Sequence, residues 1–398
     1  MKFKSRLVIV VIGLLVLFIN IVHAQELPQI SPTTTIQVGG EILGVLELAD
    51  GNIIAWNVNG SITLYDPAGQ LLTTMSGHSN GVYALIQLSD GRIVSSGLDF
   101  AVRFWSASGE ALSVKEGLVT FPEKMLELSN GNIVIPAGNL YLLDSTGQIL
   151  ANIEESTGEF KDVLELPDGR IVSITTSRKD SISIWDSTLE NRVQFGQQST
   201  QGVKLLSNGT LISWSGMGYL DIWDFDGNNL ASVSDIGHGF YDLIELADGN
   251  IAVRRDESFD FLVIYDAELN QLREHQIAES DILGMVELSG GRVAVWSRDI
   301  YIFGETSADN MVLEGHVFSM SSGNIIELPD GRLLSQGARG DDYPNFIRLW
   351  NTDGTPAAVF TQEDVFRVNG MFMLSDGRIL SWSNSTETSA SIYLWELN

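Results

Sequence analysis

Carboxylates recur in this sequence at a spacing that could gather them into one site. Glutamate stands four residues before a turn glycine at six places, and Gln87, Leu205 and Met373 take that position at three more. The six are Glu47, Glu127, Glu165, Glu245, Glu287 and Glu327. In a ring of repeats these side chains would lie on a circle near the inner strands, where like charges need arginine, water or a cation as a partner. The nearby arginines are Arg92, Arg170, Arg292, Arg332 and Arg378. Two interpretations stay open. In the first, the carboxylates pair with arginine or water, and in the second, they bind a cation or a polar ligand.

Other residue types with catalytic potential do not form a convergent set. His78, His238, His275 and His316 lie far apart, and three of them follow a glycine, so we expect structural roles for them. The absence of cysteine excludes disulfides and thiolate zinc sites. No nucleophile elbow, phosphate-binding loop or dinucleotide fingerprint is present. DFDGNN, at positions 224–229, begins like a calcium loop but lacks the distal glutamate, and a hydrated turn is the simpler interpretation. We predict no catalytic residue, no metal and no cofactor.

The turn glycines indicate that the chain is one unit written nine times. Successive glycines are 38 to 46 residues apart, and most gaps are 40. They are Gly51, Gly91, Gly131, Gly169, Gly209, Gly249, Gly291, Gly331 and Gly377. The first eight units contain four short apolar or alternating segments, which we label strands A to D, and helical periodicity is absent after residue 24. Such a unit is typical of a propeller blade. We predict an all-β fold, a single β-propeller of nine four-stranded blades, with eight blades plus an extra hairpin as the alternative.

The two ends of the chain predict how the ring closes. The last repeat stops at SIYLWELN, just after its strand C, and therefore lacks a strand D. Near the N terminus, ISPTTTI at Ile30–Ile36 is a strand-like run that belongs to no repeat. We predict that this N-terminal strand joins the last blade, which removes exposed sheet edges. Pro32 would be tolerated on such an outermost edge strand.

The connections between strands differ in how constant they are. Asp-Gly or Asn-Gly separates strands A and B in most repeats, which predicts two-residue hairpin turns. From the end of strand C to the next turn glycine the count is 24 to 28 residues, whereas from the glycine forward to the end of strand C it is 12 to 19. The variation is therefore concentrated between strands B and C. Repeat proteins generally place such variation on their binding face.

The first 24 residues predict export. Basic residues within the first six positions precede an apolar run, Leu7–Val22, and VHA before Gln25 has the small residues of a signal-peptidase site. We predict a cleaved signal peptide over residues 1–24 and a β-propeller domain over residues 25–398, located in the periplasm or outside the cell. An uncleaved N-terminal anchor is the alternative.

The charge balance narrows the choice of partners. The chain carries a formal net charge of −28, and loss of the three basic residues of the leader would leave −31. No excess of lysine or arginine remains to neutralise phosphate, which argues against nucleic acid and anionic lipid as partners. We expect a monomer with no membrane span after signal cleavage.

One repeat carries a recognisable motif. The stretch from Gly77 to Trp105, GHSNGVYALIQLSDGRIVSSGLDFAVRFW, resembles a WD40 repeat in its Gly-His pair, Asp-Gly turn, Ser-Gly, Asp and Val-Arg-x-Trp. The period extends the resemblance over the mature chain, while the other repeats keep only parts of the motif, as in a divergent bacterial relative. The resemblance implies that His78, Ser95, Asp99 and Trp105 form a buried hydrogen-bond network within the blade. It also implies that the A-B and C-D turns share one face and the B-C and D-A connections the other.

These observations predict a protein-binding scaffold rather than an enzyme. We expect an exported WD40-like propeller that binds a protein partner through the B-C loop face, around repeats eight, nine and one. The long loop GARGDDYPNF at positions 337–346 supplies the contact candidates Arg339, Asp341, Asp342 and Tyr343. The alternative is a propeller lyase or hydrolase, or a carbohydrate-binding protein, with its site in the central channel. No pair of carboxylates stands out as its acid and base.

Overall fold

The protein forms nine antiparallel blades, each with the strand order A-B-C-D. The computed structural model describes residues 27–156, 158–177, 179–197, 199–234, 238–256, 260–277, 282–297, 299–313, 324–337, 346–361, 368–386 and 389–397. The predicted nine-bladed propeller is confirmed, and the eight-bladed alternative is wrong, because all nine sheets are complete. The predicted signal peptide lies outside the described residues.

Strands A and B form the inner half of every blade. The A strands are Ile42–Glu47, Val82–Gln87, Leu126–Glu127, Phe160–Glu165, Thr200–Leu205, Gly239–Glu245, Gly284–Leu288, Ile325–Glu327 and Val368–Met373. The B strands are Ile53–Asn57, Ile93–Gly97, Ile133–Ala137, Ile171–Thr175, Leu211–Ser215, Ile251–Asp256, Arg292–Trp296, Leu333–Gln336 and Ile379–Thr386. Strand B is covered on both faces by neighbouring blades, which explains why its sequence is a continuous apolar or small-residue run such as the fully buried IVSSG of blade 2.

Strands C and D form the outer half. The C strands are Ile62–Tyr65, Val102–Trp105, Asn139–Leu143, Ile182–Trp185, Tyr219–Trp223, Asp260–Tyr265, Ile300–Phe303, Ile347–Trp350 and Ser389–Trp395. The D strands of blades 1 to 8 are Leu71–Met75, Ala111–Lys115, Ile149–Ile153, Arg192–Phe195, Asn229–Ser234, Gln271–Gln276, Met311–Leu313 and Pro356–Phe360. A 3-10 turn, Ser307–Asp309, precedes strand D of blade 7. Strand D faces solvent on its outer side, so its residues are mostly exposed.

The N-terminal segment closes the ring, as predicted. Thr34–Gly39 pairs antiparallel with Ser389–Trp395 and is strand D of blade 9. A second contact was not expected. Gln29–Ile30 pairs in parallel with Pro356–Phe360 and gives blade 8 a fifth strand. Pro32 lies in the link between these two short strands and not on an edge strand.

The hydrophobic core lies between the blades. Nine clusters of buried residues are present in the described chain, and each combines residues of two adjacent blades. One of them joins Ile36 and Val38 of the N-terminal strand with Ile42 and Ile53 of blade 1 and Leu394 of blade 9. The last interface of the ring is therefore packed like the others.

The A-B turns differ from the prediction in one residue. In blade 1, the Leu48 N–H donates to the Asn52 carbonyl and the Gly51 N–H donates to the Leu48 carbonyl. This is a three-residue connection, a type I turn followed by a glycine with positive φ, here 83°. The two-residue prediction was wrong because Asp-Gly is compatible with both turns, and only the φ of the aspartate distinguishes them.

Four blades carry a large indole on strand B that needs a glycine opposite. The pairs are Trp56 with Gly44, Trp214 with Gly202, Trp296 with Gly284 and Trp382 with Gly370. A Cβ added to Gly44 would lie 2.0 Å from the Trp56 ring. In these blades the glycine of strand A is required by space. Among the described residues, no helix is long and apolar enough to cross a membrane.

Candidate functional site

The four polar residues singled out in blade 2 meet in one buried network. The Trp105 Nε1–H donates to Ser95 Oγ at 2.8 Å, and Ser95 Oγ lies 2.9 Å from His78 Nε2. His78 Nδ1 lies 2.8 Å from Asp99 Oδ1, and the Ser79 N–H donates to the other oxygen of that carboxylate at 3.0 Å. The network is satisfied throughout if Ser95 donates to Nε2 and Nδ1–H donates to Asp99.

This Ser-His-Asp arrangement has the connectivity of a hydrolase triad but not its access. Ser95 is fully buried, and its oxygen accepts the indole N–H of Trp105. A nucleophile must reach a substrate carbonyl, and no substrate can reach this hydroxyl. The network therefore links strands B and C of blade 2 to the connection between strand D of blade 1 and strand A of blade 2, and Ser95 is not placed to act as a nucleophile.

Burial sets the charge state of this network. Desolvation lowers the pKa of His78 below its usual 6.5, against the opposing effect of Asp99. Although burial acts to raise the pKa of Asp99, hydrogen bonds from His78 and Ser79 hold it below its usual value. At neutral pH the pair is a neutral imidazole that donates to a carboxylate.

The tryptophan–serine bond recurs in four other blades. The pairs are Trp185 with Ser173, Trp223 with Ser213, Trp350 with Ser335 and Trp395 with Ser381, at 2.7 to 2.9 Å. In blades 1, 3, 6 and 7 the serine position is apolar and strand C ends without tryptophan. The serine positions there hold Ala55, Ile135, Val253 and Val295, and the strand ends are Tyr65, Leu143, Tyr265 and Phe303. At this position of strand B, a buried serine is present in the blades where an indole N–H of strand C needs an acceptor.

The recurrent glutamates connect neighbouring blades. Each accepts the backbone N–H of the residue two before the turn glycine in the preceding blade, at 2.5 to 2.9 Å from the nearer oxygen. Where that residue is serine, its hydroxyl donates as well, at 2.6 to 2.9 Å. We call this contact the inter-blade clasp. Its pairs are Glu47 with Ser375, Glu127 with Ser89, Glu165 with Ser129, Glu245 with Ser207, Glu287 with Ala247 and Glu327 with Ser289.

The three repeats without glutamate fit the same scheme. Gln87 Oε1 accepts the Ala49 N–H at 2.8 Å, which makes a neutral clasp between blades 1 and 2. Leu205 would face the turn residue Pro167 of blade 4, and Met373 would face Pro329 of blade 8. Proline has no N–H to donate. An apolar residue therefore replaces the carboxylate at the two junctions where the turn offers no donor.

The arginines expected to neutralise these glutamates have other partners. In the described residues only Arg292 contacts a clasp carboxylate, with its Nη2 at 3.0 Å from Glu327. Arg170 binds Asp168 of its own turn and donates to the Phe225 carbonyl of the next blade at 2.7 Å. Arg92, Arg332 and Arg378 likewise pair with the aspartate two residues earlier. The expected arginine pairing is thus wrong for most of the ring, because backbone N–H groups satisfy the carboxylates instead.

Comparison with known proteins agrees with the geometry of blade 2. Residues 69–106 match the WD domain, G-beta repeat family (WD40). The C-terminal WD40 domain of Sif2 is similar over 92% of this chain and 99% of its own, with a TM-score of 0.57 and 13% identity. The computationally designed Ika8 protein is similar over the same shares, with a TM-score of 0.53 and 17% identity. No curated protein sequence matches the chain.

The chain is a nine-bladed β-propeller in which one repeat matches the WD40 family. The WD40 match covers the repeat that holds the complete His-Ser-Asp-Trp network, and the other eight blades keep the architecture with parts of the motif. WD40 propellers commonly serve as platforms for protein interaction.

The two faces of this WD40-like propeller differ in what occupies them. On the A-B face, formed by the A-B and C-D turns, the turns are held by clasps and by aspartates that cap their own turn, such as Asp224, whose Oδ1 accepts from Asp226 and Asn228. That capping gives DFDGNN an intramolecular role. Among the described residues, no group of three or more acidic or histidine side chains is arranged to hold a metal ion.

The B-C face, formed by the B-C and D-A connections, is less regular. Its B-C connections range from the single residue Gly138 to the ten positions 337–346. Exposed apolar side chains lie on it, among them Val58, Tyr83, Phe100 and Val119. The contact candidates Arg339, Asp341, Asp342 and Tyr343 lie outside the described residues and stay predictions from sequence. So does His316.

Two other histidines belong to blade 6. His275 stacks on Phe303 with 4.3 Å between ring centroids, and burial lowers its pKa. It lines a small cavity between blades 6 and 7 together with Arg273 and Val293. His238 precedes strand A of blade 6.

Proposed function

We propose that this propeller is an exported protein-interaction platform that binds its partner through the B-C face, around blades 8, 9 and 1. These blades adjoin in the closed ring, since the N-terminal strands pair with blades 8 and 9. The long connection at positions 337–346 belongs to this region, and it holds Arg339, Asp341, Asp342 and Tyr343 as candidate contacts.

The contrast between the two faces carries the proposal. On the A-B face, turn N–H groups donate to clasps at seven of nine junctions. Little polar backbone is therefore left there for a partner. On the B-C face, connection length varies and large apolar side chains are exposed. Exposed aromatic and apolar groups are the usual anchors of protein interfaces.

Export is supported by the leader-like residues 1–24 and by the acidic, cysteine-free composition. Mass spectrometry of the protein recovered from the producing cells tests this point. A chain that begins at Gln25 in the periplasmic or culture fraction is the expected result. A chain that keeps residues 1–24 in the cell contradicts it.

Loop replacement tests the platform. The mature chain with positions 337–346 replaced by a short Gly-Ser turn should keep its thermal stability and capture its partner from extract at least about tenfold less well. Replacement of Arg339, Asp341, Asp342 and Tyr343 by alanine is the milder variant, should the deletion unfold the blade. Leu112→Ser on the outer strand of blade 2 is the control. Undiminished capture by both loop variants, or turnover of a carbohydrate or small molecule without any captured protein, contradicts the proposal.

A further inference from the structure

Phe100 holds an unfavourable backbone conformation on the B-C face. It lies in the B-C turn of blade 2 with φ of 57°, in the left-handed region, and its side chain is 44% exposed. The equivalent turn positions in blades 1 and 5 are Gly60 and Gly218, with φ of 86° and 85°. All three N–H groups close the same turn, and that of Phe100 donates to the Gly97 carbonyl at 3.1 Å.

Glycine suits this turn position better than phenylalanine, and blades 1 and 5 have glycine there. A bulky L-residue is strained in the left-handed region where glycine is not, and an exposed ring gains little from burial. Strain that persists at an exposed site points to a function of the side chain.

The turn that carries Phe100 is rigidly held. The Leu98 N–H donates to the Gly81 carbonyl at 2.8 Å, and the Leu118 N–H donates to the Phe100 carbonyl at 3.2 Å. The buried Ser96 hydroxyl donates to the Pro122 carbonyl at 2.8 Å, which fixes the connection to blade 3 against the same turn. The backbone that carries Phe100 is therefore fixed, which lowers the entropy cost of ordering this turn on binding.

Further apolar side chains extend this surface. Val119, in the connection bonded to Phe100 through Leu118, is 57% exposed. Phe121 of the same connection lies 5.0 Å from Tyr83, centroid to centroid, and Tyr83 is 43% exposed. We call Tyr83, Phe100, Val119 and Phe121 the blade 2 patch.

The charges around the patch favour a basic partner. The exposed carboxylates Glu116 and Glu123 lie in the same connection, and neither takes part in an ion pair with another described residue. Lys124 is neutralised by Asp162, and Arg103 lies 3.7 Å from Asp99. Among the described residues 115–125, Lys115, half-buried at the end of strand D, is the cation that remains against the two carboxylates. The whole chain adds a net charge of −28, which steers cations toward the protein.

We propose that the blade 2 patch docks an extended basic segment of a partner protein, with apolar side chains of that segment seated on Phe100, Tyr83, Phe121 and Val119. This site rests on the proposed platform function in that it uses the same face, but different residues carry it. The loop at positions 337–346 is not part of it.

Fluorescence anisotropy with synthetic peptides tests the site. The probe is a labelled peptide of about 12 residues that alternates lysine with leucine or phenylalanine. Matched peptides replace lysine by glutamate, or the apolar residues by glycine. The mature chain should bind the first peptide, bind the other two at least about tenfold more weakly, and lose affinity between about 50 and 300 mM salt.

The decisive variant is Phe100→Gly. It should weaken binding of the basic apolar peptide by about tenfold or more, while the melting temperature stays equal or rises because strain is relieved. Tyr83→Ser should weaken binding similarly. Leu112→Ser removes a more exposed apolar side chain, 52% exposed, from the outer strand of the same blade and should change neither quantity.

Three outcomes overturn this inference. They are equal peptide affinity of Phe100→Gly and the unmodified chain, binding of the glutamate peptide as tightly as the lysine peptide, and patch-dependent binding of an oligosaccharide with no peptide binding. The loop variant separates the two proposals. If it loses partner capture while Phe100→Gly keeps peptide binding, the platform stands and the patch does not, and the reverse result isolates the patch.

Discussion

At the residue scale, the serine of strand B and the tryptophan that ends strand C occur as matched pairs in five blades. Ser95 accepts from Trp105, and the four other tryptophan-ended C strands have a serine at the same place. The sequence motif was enough to bring together His78, Ser95, Asp99 and Trp105, because that repeat carries all four. The serine–tryptophan rule was missed in the divergent repeats, although the serine always stands four residues after the turn glycine where tryptophan ends strand C.

Replacing only one residue of a pair leaves its partner buried without a hydrogen bond. The two single losses of stability should therefore add up to more than the loss in the double variant. Ser95→Ala leaves the indole N–H of Trp105 and Nε2 of His78 without a partner and should lower the free energy of unfolding by about 1–3 kcal/mol. In Ser95→Ala/Trp105→Phe the loss should be smaller than the sum of the two single changes, by about 1 kcal/mol. Urea denaturation measures this cycle, with the exposed Ser79→Ala as a control. Strict additivity would mean that the bond does not couple the two residues.

The lowered pKa of His78 makes stability depend on pH. A histidine whose pKa is lower in the folded than in the unfolded chain binds protons preferentially when unfolded, so stability is full above about 6.5 and falls as pH drops below it. The melting temperature should therefore fall between pH 7 and 5. His78→Gln should flatten part of this fall, and His275, whose pKa burial also lowers, should contribute a further part. An unchanged slope in His78→Gln would contradict a neutral buried imidazole.

At the scale of elements, each blade is specified by its own period, and seven of the nine junctions are joined by a clasp. Turn glycines, alternation and the missing last strand were sufficient to predict nine blades and their closure, because these features are local in sequence. The clasps were not predicted, since Glu165 and Ser129 lie 36 residues apart in sequence and their pairing depends on the direction in which blades pack. The coincidence of Pro167 with Leu205, and of Pro329 with Met373, was the available signal.

A clasp should be transferable to a junction that lacks one. Pro167→Ser with Leu205→Glu recreates between blades 4 and 5 the pair found at Ser129 and Glu165. The double variant should be more stable than the sum of its single changes by about 1 kcal/mol, a value limited by the exposure of the contact. Denaturation of the two single variants and the double variant measures this. Glu245→Leu, which removes an existing clasp, is the converse control. A double variant no more stable than the sum of its single changes would contradict a stabilising role of the clasp between blades.

At the scale of the molecule, the ring has one face occupied by its own bonds and one that is varied and partly apolar. The sequence located this variation between strands B and C from connection lengths alone. It did not reveal the strained Phe100, because backbone φ cannot be read from residue type. The candidates at positions 339 to 343 remain predictions, and the described part of the B-C face adds the blade 2 patch to them.

Hydrogen–deuterium exchange of the mature chain with and without its captured partner tests the central claim most directly. The account predicts slowed exchange in the B-C and D-A connections, including positions 337–346, while the A-B turns around Gly51, Gly209 and Gly291 stay unchanged. Protection confined to the A-B turns or to the outer D strands would contradict it.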